Sequence, residues 1–579
     1  MSATNMTKGI SMNRLLFLAM VAGTAVLSAT ARAAAPGITG PTFNLTAQPA
    51  YINQPDGNQV YSWGYGCSSA PSGFAPAAIA GAKCSTMQVP GPTLIVTEGQ
   101  AVTVNLVNGL PTAVGNTSIL FPGFTLTSTC PPGQQGLLAC EAAPAGTVTY
   151  SFVASKPGTY AYYSGTQGDL QVEMGLYGAV IVLPNAVATA ANNCNVGLAA
   201  QNRAAGSAHA ELDFRLARAA YDHPGTCYDR EYLFQFAEMD PRIHQAALAQ
   251  VGDPKRIAAC TTGATTPGCS LEVPTEPYQP AYYLINGRSM PDDMDPNYDG
   301  VYPHQPYNGN PHMHPGEQVL LRVIGQGRWE HPFHEHANHV RILARDGNLI
   351  LGNTNVTYPG APAAPALAGL LMFTTDTFPG QTFDGIFYFT GKGLNWDAYG
   401  HHPGSNDPLA ALACNPDANG YNTGFGPADT TFATPNAAVA SAVNYYEWCA
   451  DHNKPMEANP LGDVGSGGPM TLPSPNICAN GAWYGGSPYL GPDATLRADT
   501  TLGTSGAGCV TGGTGTNPTP NCTNLLPSNV QANPANERGW AFMWHSHNER
   551  EITTNNVFPG GMFMMMLVDS REFAIDEAM

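Results

Sequence analysis

Charged residues are scarce in this 579-residue chain, and positive charge is scarcer than negative. Charged side chains make up 11% of the residues, and 23 Lys and Arg against 42 Asp and Glu give a net charge of −19 at pH 7. Without a basic stripe to neutralise phosphates, we expect no nucleic acid partner. An acidic balance of this kind mainly keeps a protein soluble, here outside the cell.

Long apolar runs are missing from the sequence beyond its N-terminal region. There, Lys8 and Arg14 precede an apolar run over 15–27, and the small residues around Ala33 form a cleavage site. Residues 1–33 are therefore interpreted as a secretory signal peptide, and the mature chain is expected in the periplasm or outside the cell. Later apolar runs, at 176–183 and 563–568, are of strand length, so we expect no membrane span.

The sequence also lacks any Cys-x-x-Cys pair, although it holds 13 cysteines. That spacing gives little support to a zinc ribbon or a thioredoxin-like site. In an exported chain, cysteines predict disulfides between neighbours in sequence. The expected pairs are Cys67–Cys84, Cys130–Cys140, Cys194–Cys227, Cys260–Cys269 and Cys509–Cys522, with one of Cys414, Cys449 and Cys478 left over.

The 64 Gly and 50 Pro indicate an all-β protein of many short strands and long loops. Apolar and polar residues alternate on both sides of Glu98-Gly99, which predicts a hairpin. A short stretch near 208–220 has a helical pattern. Residues 396–535 are rich in Gly, Pro, Asn, Thr and Ala and read as one disulfide-stapled insertion, either functional or a small subdomain.

Two strand-rich blocks of the chain look like repeats of each other. GTYAYYSG (158–165) matches GWAFMWHSH (539–547), and GLYGAVIV (175–182) matches GGMFMMMLV (560–568). The simplest interpretation is two Greek-key β-sandwiches. The predicted division is a first sandwich at 34–190, a linker at 191–225, and a second sandwich at 226–395 and 536–579, interrupted by the insertion at 396–535.

Histidine is absent from the first 208 residues, and three His-x-His pairs follow: His312/His314, His334/His336 and His545/His547. Chance predicts roughly 0.4 such pairs at this His frequency, so the pattern is informative. On a strand, residues i and i+2 point to one face, and two such pairs on adjacent strands form a metal site. Imidazoles suit copper, zinc, iron or nickel, so spacing alone does not name the metal.

Several of these phrases together resemble the multicopper oxidase family. HPFHEH (331–336) is similar to the HPxHxH motif of its last domain, WHSHNERE…GGM (544–562) to its terminal HCHxxxHxxxGM motif, and PGPTLIV and GLYGAVIV to its first domain. The resemblance covers both blocks but not the insertion. It implies two cupredoxin-like sandwiches, copper, and an oxidoreductase activity.

The departures from the family motifs bear on the metal sites. Ser546 stands where the family's type 1 copper has its Cys, and Glu551 or a neighbour stands at the second type 1 His, which leaves His331 and Met562 as two further candidate ligands. In the first block, 120–123 and 163–165 align with the family's His motifs but hold no His. Ser does not replace the thiolate that binds a type 1 copper.

Four of the eight family histidines of the three-copper cluster remain, and we expect them to hold one ion. They are His334, His336, His545 and His547. Copper is the expected metal, with zinc as the competitor. The outer-shell partners expected for these rings are Glu549 or Asp346.

Other features have plainer interpretations. His312 and His314 are expected to form a surface pair near a turn, and Glu335 to face solvent or Arg341. Two functions stay open: a divergent copper oxidoreductase, or a non-enzymatic metal-binding, storage or structural protein on the same scaffold. Two-domain members of the family assemble as trimers, which raises a homotrimer as an expectation. The sequence names neither a substrate nor a catalytic residue.

Overall fold

The computed structural model describes residues 34–79, 81–185, 212–358, 361–390 and 539–569, together with residues 392 and 575 and short pieces between 414 and 489. The predicted signal peptide and most of the predicted insertion therefore lie outside the described residues.

The first block of strands forms two sheets that share one apolar core. Its strands are β1 (Gly37–Thr39), β2 (Thr42–Asn53), β3 (Gln59–Cys67), β4 (Phe74–Ala75), β5 (Leu94–Thr97), β6 (Ala101–Asn108), β7 (Thr147–Val153), β8 (Gly158–Tyr163) and β9 (Tyr177–Leu183). The sheet orders are β4-β1-β5-β9-β8 and β3-β2-β6-β7. Alternate residues of β6, namely Val102, Val104 and Leu106, face the core, as the pleat of a strand requires.

The second block also contains two large sheets. Its strands are β10 (Arg230–Met239), β11 (Tyr282–Ile285), β12 (His312–Met313), β13 (Gln318–Gly325), β14 (His331–Glu335), β15 (Ala337–Asn338), β16 (Val340–Arg345), β17 (Asn348–Leu349), β18 (Leu351–Val356), β19 (Ala364–Leu367), β20 (Leu371–Met372), β21 (Thr374–Thr377), β22 (Thr382–Tyr388), β23 (Ala482–Trp483), β24 (Gly486–Tyr489), β25 (Gly539–Ser546) and β26 (Phe563–Asp569). One sheet has the order β11-β10-β13-β22-β16-β17, with β20 on β16, and the other β12-β26-β25-β14-β21, with β24 on β25.

The two blocks repeat the same strand pairing. In the first, β6 is parallel to β2 and antiparallel to β7, and in the second β13 is parallel to β10 and antiparallel to β22. Likewise β9 is parallel to β5 and antiparallel to β8, as β26 is to β12 and β25. This confirms the expected all-β fold of two cupredoxin-like sandwiches, while the domain boundaries stay predictions.

The turn at Glu98-Gly99 does not close a hairpin, contrary to expectation. Strand β5 before it and β6 after it belong to different sheets. The turn therefore carries the chain from one sheet to the other across the core. Alternating burial is the same in both arrangements, so the pattern alone does not separate them.

Helices occur where the sequence pattern did not predict them. Residues 212–220 are not helical, whereas α1 (Gly168–Gln171), α2 (Pro241–Val251) and α3 (Pro254–Thr262) are. Both longer helices begin with Pro after an N-capping Asp, Asp240 and Asp253, whose carboxylates accept a backbone N–H of the first turn. Short 3-10 turns lie at Thr112–Val114, Asp292–Met294 and Cys449–Asp451.

Disulfides hold the loops of the described regions. Three expected pairs are confirmed, Cys67–Cys84, Cys130–Cys140 and Cys260–Cys269, and Cys414 pairs with Cys449. The other two expected pairs include residues outside the described ranges. Four disulfides are typical of a chain that folds outside the cytoplasm. Across the described residues, no helix has the length and apolar character needed to cross a membrane.

A buried ionic network joins the two blocks. The Arg322 guanidinium is fully buried; its Nε donates to Glu231 Oε2 (2.8 Å), and its Nη1 donates to Thr159 Oγ1 of the first block (3.2 Å). Asp384 accepts from Thr159 Oγ1 (2.6 Å) and from the Tyr221 hydroxyl (2.5 Å). Each buried charge thus has partners, which is the condition for burying it at all.

We predict that Asp384→Ala lowers the free energy of unfolding by about 3–5 kcal/mol, because it leaves buried charge and hydroxyls without their acceptor. Chemical denaturation measures it. The control is Glu276→Ala, which breaks the ion pair of Arg328 with a carboxylate side chain that is 71% exposed. That loss should stay below about 1 kcal/mol. Equal losses in the two variants would contradict the assigned role of the network.

Candidate metal centre

Two of the His-x-His pairs lie side by side on neighbouring strands. Strand β14 pairs antiparallel with β25, and His334 stands directly opposite His545. Because side chains two residues apart share a face, this register directs His336 and His547 to the same face as the opposed pair.

The four imidazoles form one cluster. Ring centroids of His334 lie 4.9 Å from His336, 5.3 Å from His545 and 4.7 Å from His547. His336 Nε2 and His545 Nε2 are 3.3 Å apart, and one nitrogen from each of His334, His336 and His545 lies within 4.8 Å of the other two. His334 and His336 are buried, His545 is half-buried and His547 is exposed, so the cluster opens to solvent on one side.

Hydrogen bonds orient two of the rings. His334 Nδ1 bonds with Thr374 Oγ1 (2.5 Å), and His545 Nδ1 donates to the Ser546 carbonyl (2.7 Å). Engaging Nδ1 in this way leaves Nε2 as the metal-binding nitrogen. Thr374 and the Ser546 carbonyl hold these two rings, and a role for Glu549 at the other rings stays a prediction. Asp346 instead bonds the backbone of residue 382.

The environment favours the neutral form of two rings of the cluster, His334 and His545. Burial, together with His336, His545 and His547, lowers the pKa of His334 to about 4. Burial likewise lowers the pKa of His545. Neutral imidazole is the form that binds a metal, so these rings are ready to bind one at neutral pH.

A second buried group lies beside the cluster, at the positions that resemble the family's type 1 site. Ser546 Oγ donates to Glu551 Oε2 (2.5 Å), and His331 Nδ1 bonds to the same oxygen (2.8 Å). His331 Nε2 bonds to Glu238 Oε2 (2.9 Å). Both nitrogens of His331 thus face carboxylates. Met562 is fully buried and belongs to the apolar core of the second block.

The carboxylates keep a proton on His331. Burial by itself lowers the pKa of this imidazole, but the hydrogen bonds to Glu238 and Glu551 outweigh burial and raise it to about 9. His331 is therefore an imidazolium at neutral pH, with a carboxylate on each side. Metal binding by His331 and Met562 stays a prediction, and the observed contacts favour an ionic role for His331.

The third pair, His312 and His314, is not at the surface as expected. Both side chains are 1% exposed. His312 Nδ1 lies 2.6 Å from Asp569 Oδ2, and His314 Nδ1 donates to the Asp569 carbonyl (2.9 Å). The pair fixes β26 against β12. The turn residues around the pair suggested exposure, whereas the partner strand lies more than 250 positions away in the sequence.

Glu335, between two cluster histidines, does not face solvent or Arg341 either. It is fully buried, and neither carboxylate oxygen has a hydrogen-bond partner among the described residues. Burial raises its pKa well above the usual value. Alternation correctly turns it away from the histidines, but the opposite face of β14 is the apolar core. Arg341 instead donates to the Gly369 carbonyl.

The first-block positions that align with the family's His motifs line a cavity between the blocks. This cavity of about 350 Å³ is bounded by residues that include Leu120, Tyr163, Ser164 and Arg328. Hydrocarbon and hydroxyl groups thus stand where the resemblance would place imidazoles.

Sequence reasoning missed Thr374, Phe373 and Glu238. Phe373 packs against His334 with ring centroids 5.8 Å apart. Thr374 and Glu238 lie on strands, and Phe373 lies in the bend between β20 and β21, so only the fold decides that they meet the site. The only sequence signal is the exposed-strand alternation around Thr374, which does not identify its partner.

Comparisons with known proteins show what parts of this chain are similar to. Residues 82–187 match the family model described as multicopper oxidase. An L-ascorbate oxidase of Brassica rapa subsp. pekinensis is 38% identical over 96 residues, 16% of each chain. The "Multicopper oxidase MCE" of Talaromyces pinophilus is 35% identical over 123 residues, 20% of each chain. The matches thus span a fifth or less of these relatives.

Solved structures are similar at low identity. The blue copper oxidase from Nitrosomonas europaea has a TM-score of 0.41 at 14% identity, covering 91% of this chain and 85% of that one. A copper nitrite reductase from the same organism has a TM-score of 0.33 at 18% identity, covering 61% and 85%.

Strand pairing and the histidine cluster define a cupredoxin-fold protein with a candidate metal centre. The matched residues 82–187 make this stretch of the chain similar to the multicopper oxidase family. The match falls on the block without histidines, whereas the cluster lies on the other.

The residues present fit one metal ion. His334, His336 and His545 offer converging ring nitrogens, with His547 at the open side. No thiolate belongs to this set, and four imidazoles do not supply the eight expected of a three-copper cluster.

We predict that folding stability falls as pH rises from about 6.5 to 9, and that His331→Gln removes most of this slope. A His with a raised folded pKa stabilises fully below its unfolded pKa, and this contribution is lost as pH rises through about 9. The loss should be on the order of 3 kcal/mol. Denaturation of metal-free protein across this range measures it.

Tyr278 and Tyr283 interact with the carboxylates that flank His331, so Tyr283→Phe serves as the control and should keep the slope. A slope that is unchanged in His331→Gln would show that the imidazolium does not contribute it.

Proposed function

We propose that this chain is an exported copper protein whose single mononuclear ion is held by His334, His336, His545 and His547, and that it is a divergent copper oxidoreductase. The observation that supports it most is the register of β14 and β25, which sets His334 opposite His545. Three ring nitrogens within 4.8 Å of one another are what a copper or zinc ion requires.

Copper is preferred to zinc because of the superfamily and because nitrogen-only sites follow the general affinity order, in which copper binds more tightly. A bound copper ion would supply one-electron chemistry. The protein supplies the rest: Thr374 and the Ser546 carbonyl orient two rings, burial keeps them neutral, and exposed His547 leaves one side open. That opening is where a small ligand would approach.

The alternative is a metal-binding or storage protein without enzymatic activity. It is supported by Ser546, whose hydroxyl bonds to Glu551 where the family has a thiolate. Since that thiolate is also the family's electron path, laccase-type turnover of phenols should be weak or nil, and no strong thiolate charge-transfer band should appear.

Location and assembly complete the proposal. Four disulfides support export, to the periplasm or the medium. A homotrimer follows only from the resemblance. The substrate is left open.

We predict about one copper per chain in wild-type protein and a large loss of it in His334→Ala/His545→Ala, because the pair supplies two converging donors. Elemental analysis after copper loading, with a parallel zinc loading, measures it. The matched control is His312→Gln/His314→Gln, which changes another buried His-x-His pair and should retain the copper.

Equal copper in wild type and in the double Ala variant, or none in either, would refute the centre. Copper without turnover of any reductant would leave the storage function in place of the oxidoreductase.

A further inference from the structure

Four buried side chains beside the histidine cluster form a continuous chain of hydrogen bonds. Ser546 is 0%, Glu551 1%, His331 0% and Glu238 2% exposed. Four polar side chains so deeply buried are stable only because each one bonds to the next.

The first link fixes the residue between two candidate ligands. Ser546 stands between His545 and His547, and its hydroxyl donates to Glu551 Oε2. Asn548 Nδ2 donates to the other oxygen of Glu551 (2.9 Å). The carboxylate of Glu551 therefore holds the residues on both sides of His547, namely Ser546 and Asn548.

The same residue orients a ligand ring. His545 Nδ1 donates to the backbone carbonyl of Ser546. A rotation of the Ser546 peptide would turn this imidazole and move its Nε2, which lies 3.3 Å from His336 Nε2. The position of Ser546 thus sets the distance between two donors.

The far end of the chain is anchored in the framework. His331 connects Glu551 to Glu238, and Glu238 Oε1 accepts from the backbone N–H groups of Arg328 (2.7 Å) and Trp329 (2.9 Å) and from the Tyr278 hydroxyl (3.0 Å). These bonds leave Glu238 little freedom to move, so it is a fixed point for His331.

We propose that Glu238, His331 and Glu551 are positioning residues that act through Ser546 to hold His545 and His547 in metal-binding geometry. This inference rests on the proposed metal centre. His331 is thereby a bridge between carboxylates and not a ligand, which agrees with the placement of Met562 among apolar core side chains.

The experiment compares His331→Gln with wild type by copper stoichiometry, by copper affinity against a competing chelator, and by the Cu(II) EPR spectrum. We expect His331→Gln to keep the wild-type copper equivalents at saturation. Its affinity should fall about 10- to 100-fold, as is usual when an outer-shell partner of a ligand is lost, and its EPR hyperfine splitting should change.

The matched control is His312→Gln, which breaks a buried His–carboxylate pair of the same kind with Asp569, away from the cluster. It should destabilise the fold but keep the wild-type affinity and spectrum. Should His331→Gln fail to fold, Ser546→Ala removes only the hydroxyl and should reproduce the loss of affinity and the altered spectrum.

If His331→Gln bound no copper at saturation, the inference would be overturned, because His331 would then be a ligand. Wild-type affinity in Ser546→Ala, or the same spectrum in the His331→Gln and His312→Gln variants, would overturn it while leaving the metal centre intact. Absence of copper from wild-type protein would instead refute the centre itself.

Discussion

The antiparallel register of β14 on β25 is the constraint on which the candidate centre depends. His334 faces His545 across two hydrogen-bonded strands. A slip of β14 by one residue would turn His334 and His336 toward the apolar core and would remove Phe333 from its contact with Trp544. The core therefore enforces the register, since burial of those two aromatics on one face fixes the histidines on the other. Hydrophobic packing and metal chemistry are specified by the same pairing.

Buried charged side chains occur in two parts of the structure, where they have different roles. Around Arg322, charges join the two blocks, and the Nε and Nη1 of the guanidinium each have a partner. Around His331, a protonated ring lies between two carboxylates at the positions that resemble a type 1 copper site. The imidazolium thus places a cation between Glu238 and Glu551 without a metal. Glu335 is the contrast: no charge balances it among the described residues, and its raised pKa keeps it neutral.

The sequence predicts much of the fold because strand periodicity and internal repeats are local signals. Alternation predicts β6, and the internal repeats predict that β8/β9 correspond to β25/β26. The sequence does not decide which strand each element pairs with. Alternation is identical in a hairpin and in a turn between sheets, so Glu98-Gly99 was assigned wrongly. The Asp-Pro pairs at Asp240 and Asp253 are local signals for the start of a helix, which a prediction from strand periodicity does not use.

The site was predictable to the same extent. The spacing of two residues on a strand predicts that the rings of each His pair share a face. The family resemblance predicts that two of these pairs lie side by side. Their supporting residues were not predictable, because Thr374 and Glu238 come from strands whose neighbours only the folded chain defines. The same reason placed His312 and His314 wrongly: their partner Asp569 lies on a strand far along the chain.

The uneven distribution of histidine between the two blocks limits which metal ligands a neighbouring copy could contribute. Symmetric assembly presents identical surfaces in every copy, and all 15 His follow residue 208. Whichever copy lies against the cluster, its first block contributes hydrocarbon, hydroxyl and amide groups but no imidazole. Copies joined in this way multiply the number of centres without enlarging any of them, so the metal content would scale strictly with the number of chains.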